Sequence, residues 1–435
     1  MERFALSRMK EWKENENRKP LIIRGARQVG KTWIMKTFGQ QYFEKTAYVN
    51  FDNNARMKQV FEGDLDIERL VLAISAETGV SIEAENTLII FDEIQEVPKA
   101  LTSLKYFHEN APQYAIVAAG SLLGVALHQG TSFPVGKVDF LDLYPLNFRE
   151  FLCAMGEKQF VSMLDSCDTQ MVTVFKTKYI ERLREYYFVG GMPEVVKDFS
   201  EKKDYNRVRA IQKNLINYYQ QDFSKHAEIK LVPRLNLVWN SIPMQLAKEN
   251  KKYIYGQVRE GSRAKDFELA IQWLLDCGLI HKVQRIQKSD LPLKAYIDFD
   301  AFKLFLVDIG LLIAMTDLDA KVIIEGNKIF TEFNGSLTEQ YILQQLISDV
   351  GVIPYYYSTQ NSKGEIDFLV QGKTSVIPIE VKAEENLKAK SLKAFCEKYQ
   401  PSYAVRTSMS DYREQDWMTN IPLYAIKWIE NYVNQ

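Results

Sequence analysis

Gly25-Ala26-Arg27-Gln28-Val29-Gly30-Lys31-Thr32, directly after the apolar run Leu21-Ile22-Ile23, is the stretch whose reading decides the fold. A short apolar run closed by glycine reads as a buried strand, and this glycine spacing ahead of Lys-Thr reads as a phosphate-binding loop that opens a helix. Each residue type has a reason to be there. Gly25 and Gly30 let backbone N–H groups curl around phosphate oxygens, Lys31 reaches the β- and γ-phosphates, and Thr32 offers a hydroxyl to Mg²⁺. Arg27, Gln28, Val29 and Trp33 complete the lining, and the helix starting near Lys31 adds the positive end of its dipole. A glycine-rich turn before an ordinary surface helix is the competing reading, and a second motif weighs against it.

Leu88-Ile89-Ile90-Phe91-Asp92-Glu93 is an apolar run that ends in two carboxylates, the pattern of a parallel core strand whose C-terminal end meets phosphates. Asp92 is placed to hold Mg²⁺ through its water shell, and Glu93 to orient the water that attacks the γ-phosphate. Without the loop upstream, two charges after a strand would be only a solvated strand end. Ala47 to Phe51 and Tyr114 to Ala119 supply further strands of the same sheet, and a fifth spans roughly Lys137 to Leu143.

At this point the residues resemble a known family, the prokaryotic AAA-like ATPases whose C-terminal half is catalogued as a domain of unknown function. The marks are RQVGKT at Arg27 to Thr32, FDEIQ at Phe91 to Gln95, GS at Gly120-Ser121 and YPLNFREF at Tyr144 to Phe151. GGMPEVV at Gly190 to Val196, FKLFLVDIGLL at Phe302 to Leu312, EIDFLV at Glu365 to Val370 and PIEVKA at Pro378 to Ala383 extend them over nearly the whole chain. The resemblance implies ATP and Mg²⁺ as ligands and Ser121 as a γ-phosphate sensor, although a Gly-Ser turn is equally what a strand exit requires. Similar proteins often carry Gly-Arg before the fifth strand where this chain has Gly136-Lys137, which leaves any arginine finger unassigned.

With 435 residues at 46% hydrophobic, the chain exceeds one typical core and predicts about three domains. A net charge of −1 excludes a globally basic nucleic-acid coat, so any such contact must be local. Cys153, Cys167, Cys277 and Cys396 lie far apart, with neither metal-ligand nor disulfide-framework spacing, and read as reduced thiols. A charged N-terminal segment and the absence of any uninterrupted membrane-length apolar stretch predict a cytoplasmic protein without a membrane partner.

From about Lys158 to Ile229 the chain turns helical and charged, with Gly190-Gly191-Met192-Pro193 as a turn between helices; this predicts a lid or connector. Residues 231 to 295 suggest a winged helix, with helices near Leu235 to Lys248 and Phe267 to Cys277 followed by a strand from Leu279. Lys248, Lys251, Lys252, Arg259, Arg263 and Lys265 outnumber Glu249 and Glu260 there, an excess that suits either phosphate contacts or a solvated face.

A second chemical constellation lies near the C-terminus. Glu365 to Val370 and Val376 to Lys382 read as strands of a hairpin that brings Asp367 beside Glu380, with Glu380 and Lys382 on one face because side chains alternate. This Asp…Glu-x-Lys arrangement resembles the restriction-endonuclease-like PD-(D/E)xK nucleases, and Glu339 on a preceding helix matches that superfamily's additional acidic position. The resemblance implies a metal held by Glu339, Asp367 and Glu380, with Lys382 positioning or deprotonating water for attack on a phosphodiester. Lys388, Lys390 and Lys393 near the next helix would face a phosphate backbone.

The expected fold is therefore α/β, a P-loop NTPase parallel sheet of the additional-strand, AAA-like type over residues 1–155. A helical connector (156–230), a winged helix (231–325) and a C-terminal α/β restriction-endonuclease-like domain (326–435) would follow. Three functions stay open: an ATPase switch with a nucleic-acid-binding, nuclease-like domain, an active ATP-regulated DNA nuclease, and an ATP-gated protein adaptor that does not cleave. DNA, a protein partner and an oligomer are all compatible with these readings.

Overall fold

The computed structural model describes residues 2–120, 124, 133–248, 251–324, 331–359, 364–383 and 389–435. They form two compact units, Glu2–Tyr144 with Asp276–Leu279, and Pro145–Leu275 with Ile280–Gln435.

The first unit is built on strands β1 (Leu21–Arg24), β2 (Lys45–Asn50), β3 (Thr87–Asp92), β4 (Ala115–Ala119) and β5 (Asp139–Asp142), all parallel, in the order β2-β3-β4-β1-β5. β3 and β4 are buried at every position, which is why they read as continuous apolar runs. Phe51, Phe61 and Phe91 meet edge to face at centroid separations of 5.3 to 5.7 Å beneath them, each ring contributing roughly 2–3 kcal/mol of burial. β4 and β3 flank each other in register, Asp92 opposite Ala119, so both strand ends reach the same sheet edge as the turn that follows β1.

In the second unit, helices Phe148–Ala154, Lys176–Val189, Pro193–Lys202 and Tyr205–His226 precede Val232–Leu246, Tyr255–Val258 and Ala264–Asp276. Strands β6 (Ile280–Ile286), β7 (Ile297–Leu306), β8 (Tyr355–Ser358), β9 (Glu365–Gln371), β10 (Val376–Val381), β11 (Val405–Ser408), β12 (Arg413–Gln415) and β13 (Met418–Pro422) form one mixed sheet, ordered β12-β13-β11-β10-β9-β8-β6-β7. The antiparallel β6–β7 hairpin, which would be the wing of a winged helix, is continuous with the C-terminal strands through the parallel pairing of Arg285 with Tyr356 and Ile286 with Tyr357.

Several of the segments quoted from the sequence converge inside this unit. Asn147 caps the helix Phe148–Ala154 in a reciprocal capping box with Glu150, worth about 1 kcal/mol. The N–H of Gly191 donates to Asp308 Oδ2 at 2.6 Å, and the N–H of Leu146 donates to the Gly191 carbonyl at 2.7 Å. A Cβ on Gly191 would lie 2.1 Å from the Leu146 carbonyl oxygen, so no other residue fits this crossing. Burial pushes the Asp308 carboxyl up to about 6, against the backbone hydrogen bonds that favour its anion.

Candidate functional site

The turn after β1 adopts the conformations its glycines permit. Gly30 has φ +95° and Gln28 φ +66°, and at Gly25, φ +148°, a Cβ would lie 2.1 Å from the Leu143 carbonyl oxygen. The helix Lys31–Tyr42 starts directly behind it. Arg3, buried, donates to the Val29 carbonyl at 3.0 Å and to the Tyr144 carbonyl at 2.6 Å, which pins the loop from below. Sequence reasoning passed over Arg3 because nothing in the N-terminal helix region marks one arginine among several charges.

Lys31 is buried and its ammonium donates to the Gly25 and Ala26 carbonyls at 2.9 and 2.8 Å. Burial lowers its pKa to about 8, with Glu93 and Asp92 opposing the shift. Asp92 Oδ2 accepts the Thr32 hydroxyl at 2.7 Å and the Tyr48 hydroxyl at 2.9 Å, and Asp92 Oδ1 accepts the N–H of Glu93 at 3.1 Å. Thr32 and Asp92 thus share one spot. Tyr48, at the end of β2, was missed by sequence reasoning; a tyrosine in a strand carries no signal of its own. Glu93 sits at φ +51°, a left-handed conformation uncommon for a glutamate. Its Oε2 accepts from Gln95 Nε2 at 2.7 Å. Trp33 is half exposed beside the loop. Ser121 lies outside the described residues, as does Lys388.

In the second unit the β9–β10 hairpin pairs Phe368 with Ile379, which sets Asp367 beside Glu380 as the strand alternation predicts. Asp367 Oδ2 accepts the N–H of Val381 at 2.7 Å, and Lys382 Nζ stands 2.7 Å from Glu380 Oε1. Glu339, from the helix Thr331–Gln345, joins them. Two lysines come with it that the motif did not announce. Lys251 pairs with Glu339 Oε1, and Lys303, fully buried on β7, pairs with Glu365 and stands 3.5 Å from Glu339 Oε2. Lys251, counted from sequence in a basic stretch that suits either phosphate contacts or a solvated face, is turned inward instead.

The electrostatics follow from this packing. Burial would lower the Lys303 pKa, but Glu339 and Glu365 override it and hold it above the ordinary lysine range. Burial would raise Glu339, and Lys251 and Lys303 bring it below the usual range. Asp367 is held well above the carboxylate range by burial and by Glu339 and Glu380. Lys382 likewise stays above the ordinary value because Glu380 overrides its burial. Among the described residues, no group of three or more His, Cys, Asp or Glu side chains stands ready to hold a metal ion.

No described helix is long and apolar enough to cross a membrane. Among curated proteins, none matches the sequence. Solved structures with partial likeness include the Walker-type ATPase PABY2304 of Pyrococcus abyssi, at 15% identity and TM-score 0.44 over 72% of this chain and 95% of that one. The Aeropyrum pernix ORC1 protein in complex with DNA gives 13% identity and TM-score 0.27 over 72% and 91%. The Thermotoga maritima RuvB Holliday junction branch migration motor gives 12% and 0.27 over 64% and 87%. Residues 180–322 and 334–426 match the models of two domains of unknown function, DUF8612 and DUF4143. Residues 17–152, which contain the loop, β3 and their buried lysine and acids, match the model of an AAA domain, and this part of the chain has the fold of a P-loop ATPase.

Proposed function

We propose that this protein binds ATP with Mg²⁺ and hydrolyses it, as a nucleotide-driven switch whose second unit carries a nucleic-acid-binding, nuclease-like site. The observation that carries the ATPase reading is the convergence of Lys31, Thr32, Asp92 and Glu93 on one sheet edge behind a glycine-bent turn. Lys31 gives up two neutral carbonyls for phosphate oxygens, a favourable exchange for a buried cation. Thr32 and Asp92 would hold Mg²⁺, which supplies charge neutralisation at the phosphates. Glu93 orients the attacking water once it leaves Gln95. Segments 156–230, 231–325 and 326–435 would act as connector, winged helix and nuclease-like domain, with DNA, a protein partner or a further copy of the chain as the things they engage.

The test is nucleotide binding by calorimetry on folded, full-length protein. ATP with Mg²⁺ is expected to give heat that Lys31→Ala abolishes; no heat from ATP, ADP or GTP would reject the reading. For the second unit, the lysines that close the acid cluster favour a binding or adaptor role over constitutive cleavage. Nicked plasmid in Mn²⁺, lost in Asp367→Ala, would reverse that preference.

A further inference from the structure

The acid cluster of the second unit carries its own cations. Glu339, Glu365, Asp367 and Glu380 face Lys251, Lys303 and Lys382, and of the four carboxyl groups Glu339 alone is shared by two of the described lysines. The three lysines are not equally committed. Lys303 is fully buried, pairs with Glu365 as well, and lies 4.9 Å from the centre of the Tyr356 ring. Lys382 belongs to the same strand end as its partner Glu380. Lys251 pairs with Glu339 and sits just before Tyr253, whose N–H donates to the Phe302 carbonyl at 2.8 Å; its side chain can swing out while the backbone stays anchored.

Coordination capacity is present too. Among the described residues, buried Glu380 Oε2 and Glu339 Oε2 receive no hydrogen bond, and Glu339 Oε2 stands 3.5 Å from Lys303 Nζ. A buried carboxylate oxygen left without a donor is costly unless something else satisfies it. If Lys251 leaves, Glu339 loses one of its two cations and the cluster gains a unit of negative charge, which an entering divalent cation would offset. With Lys251 in place three lysines face the four acids, and the described side chains form no group ready to hold a metal ion.

We propose that Glu339, Asp367 and Glu380 form a latent divalent-cation site held shut by Lys251, an internal cation that must leave Glu339 before a metal enters. This rests on the nuclease-like reading of the cluster and adds its regulation: whatever draws Lys251 outward, such as a polyanion engaging the basic stretch from Lys251 to Lys265, opens the site.

Mn²⁺ titration of the nucleotide-free, full-length protein, followed by the paramagnetic signal of free Mn²⁺, tests this. Lys251→Met, and Lys251→Gln as a second variant if the first folds poorly, should bind one Mn²⁺ at least about tenfold more tightly than the unsubstituted chain, since an adjacent like charge has been removed. Adding Glu380→Gln should erase that gain. Binding unchanged in folded Lys251→Met and Lys251→Gln, or a gain that survives Glu380→Gln, would overturn the proposal. Plasmid incubation in parallel separates the two readings: Mn²⁺ gained without any strand cleavage leaves the closed cation site standing and removes the nuclease.

Discussion

The two charged sites of this chain are built on opposite plans. Around the loop after β1, a buried lysine leans on neutral carbonyls and an aspartate on neutral hydroxyls, so each charge keeps its strongest interaction in reserve. In the second unit, charges of opposite sign already satisfy one another. A site prepared for an incoming ion holds its charges with weak, exchangeable partners, whereas a site that has consumed them internally is first of all a piece of architecture.

The largest effect expected from this contrast is structural. Lys303→Met should lower the unfolding free energy by about 4 kcal/mol, because it leaves Glu365 and part of Glu339 buried without a cation. Urea denaturation reads it, and an unchanged midpoint would erase the distinction between the sites. Next, Glu93→Gln should slow phosphate release about 100-fold while ATP affinity, read by calorimetry, stays put. Turnover equal to that of the unsubstituted chain would remove Glu93 from the chemistry.

The pH responses should also diverge. Lys31 loses its proton near pH 8, so ATP affinity should fall about tenfold between pH 7 and pH 9 as the ammonium disappears. Lys303 behaves the other way. Its pKa in the folded protein is raised above the unfolded value, so its stabilising contribution is complete below that unfolded value and is lost only as pH climbs through the folded one. Across pH 7 to 9 it should contribute a constant amount, which denaturation at each pH would show. The smallest effect is Tyr48→Phe, which removes one of two hydroxyls on Asp92 and should weaken the Mg²⁺ dependence of ATP binding by about 1 kcal/mol. Calorimetry at graded Mg²⁺ would sharpen the comparison by showing how much of the Asp92 alignment lies outside the motif.

Legibility in sequence followed the range of the interactions. β3 and β4 were readable because strands buried on both faces are plain apolar runs, and the pairing of Asp367 with Glu380 because alternation dictates it. Motif chemistry set Thr32 and Asp92 at one spot, and the two do meet. Lys303 was not readable: inside Phe302-Lys303-Leu304 it looks like the wet face of an alternating strand, and its partner Glu365 lies 62 positions away. Lys251 looked like one more member of a basic stretch. Tyr48, Arg3 and the crossing of Gly191 with Asp308 depend on packing that no local pattern encodes.

The seam between β6 and β8 has a practical consequence for anyone dissecting this molecule into pieces. A fragment beginning at residue 326 would carry β8 with its outer hydrogen-bonding groups bare, a template for association with other chains. It would also keep Glu339 and Glu365 while discarding Lys251 and Lys303. Such a truncation would be sticky and acid-heavy at its centre, so failure of that fragment to express would speak about where the cut was made and not about what the intact chain does.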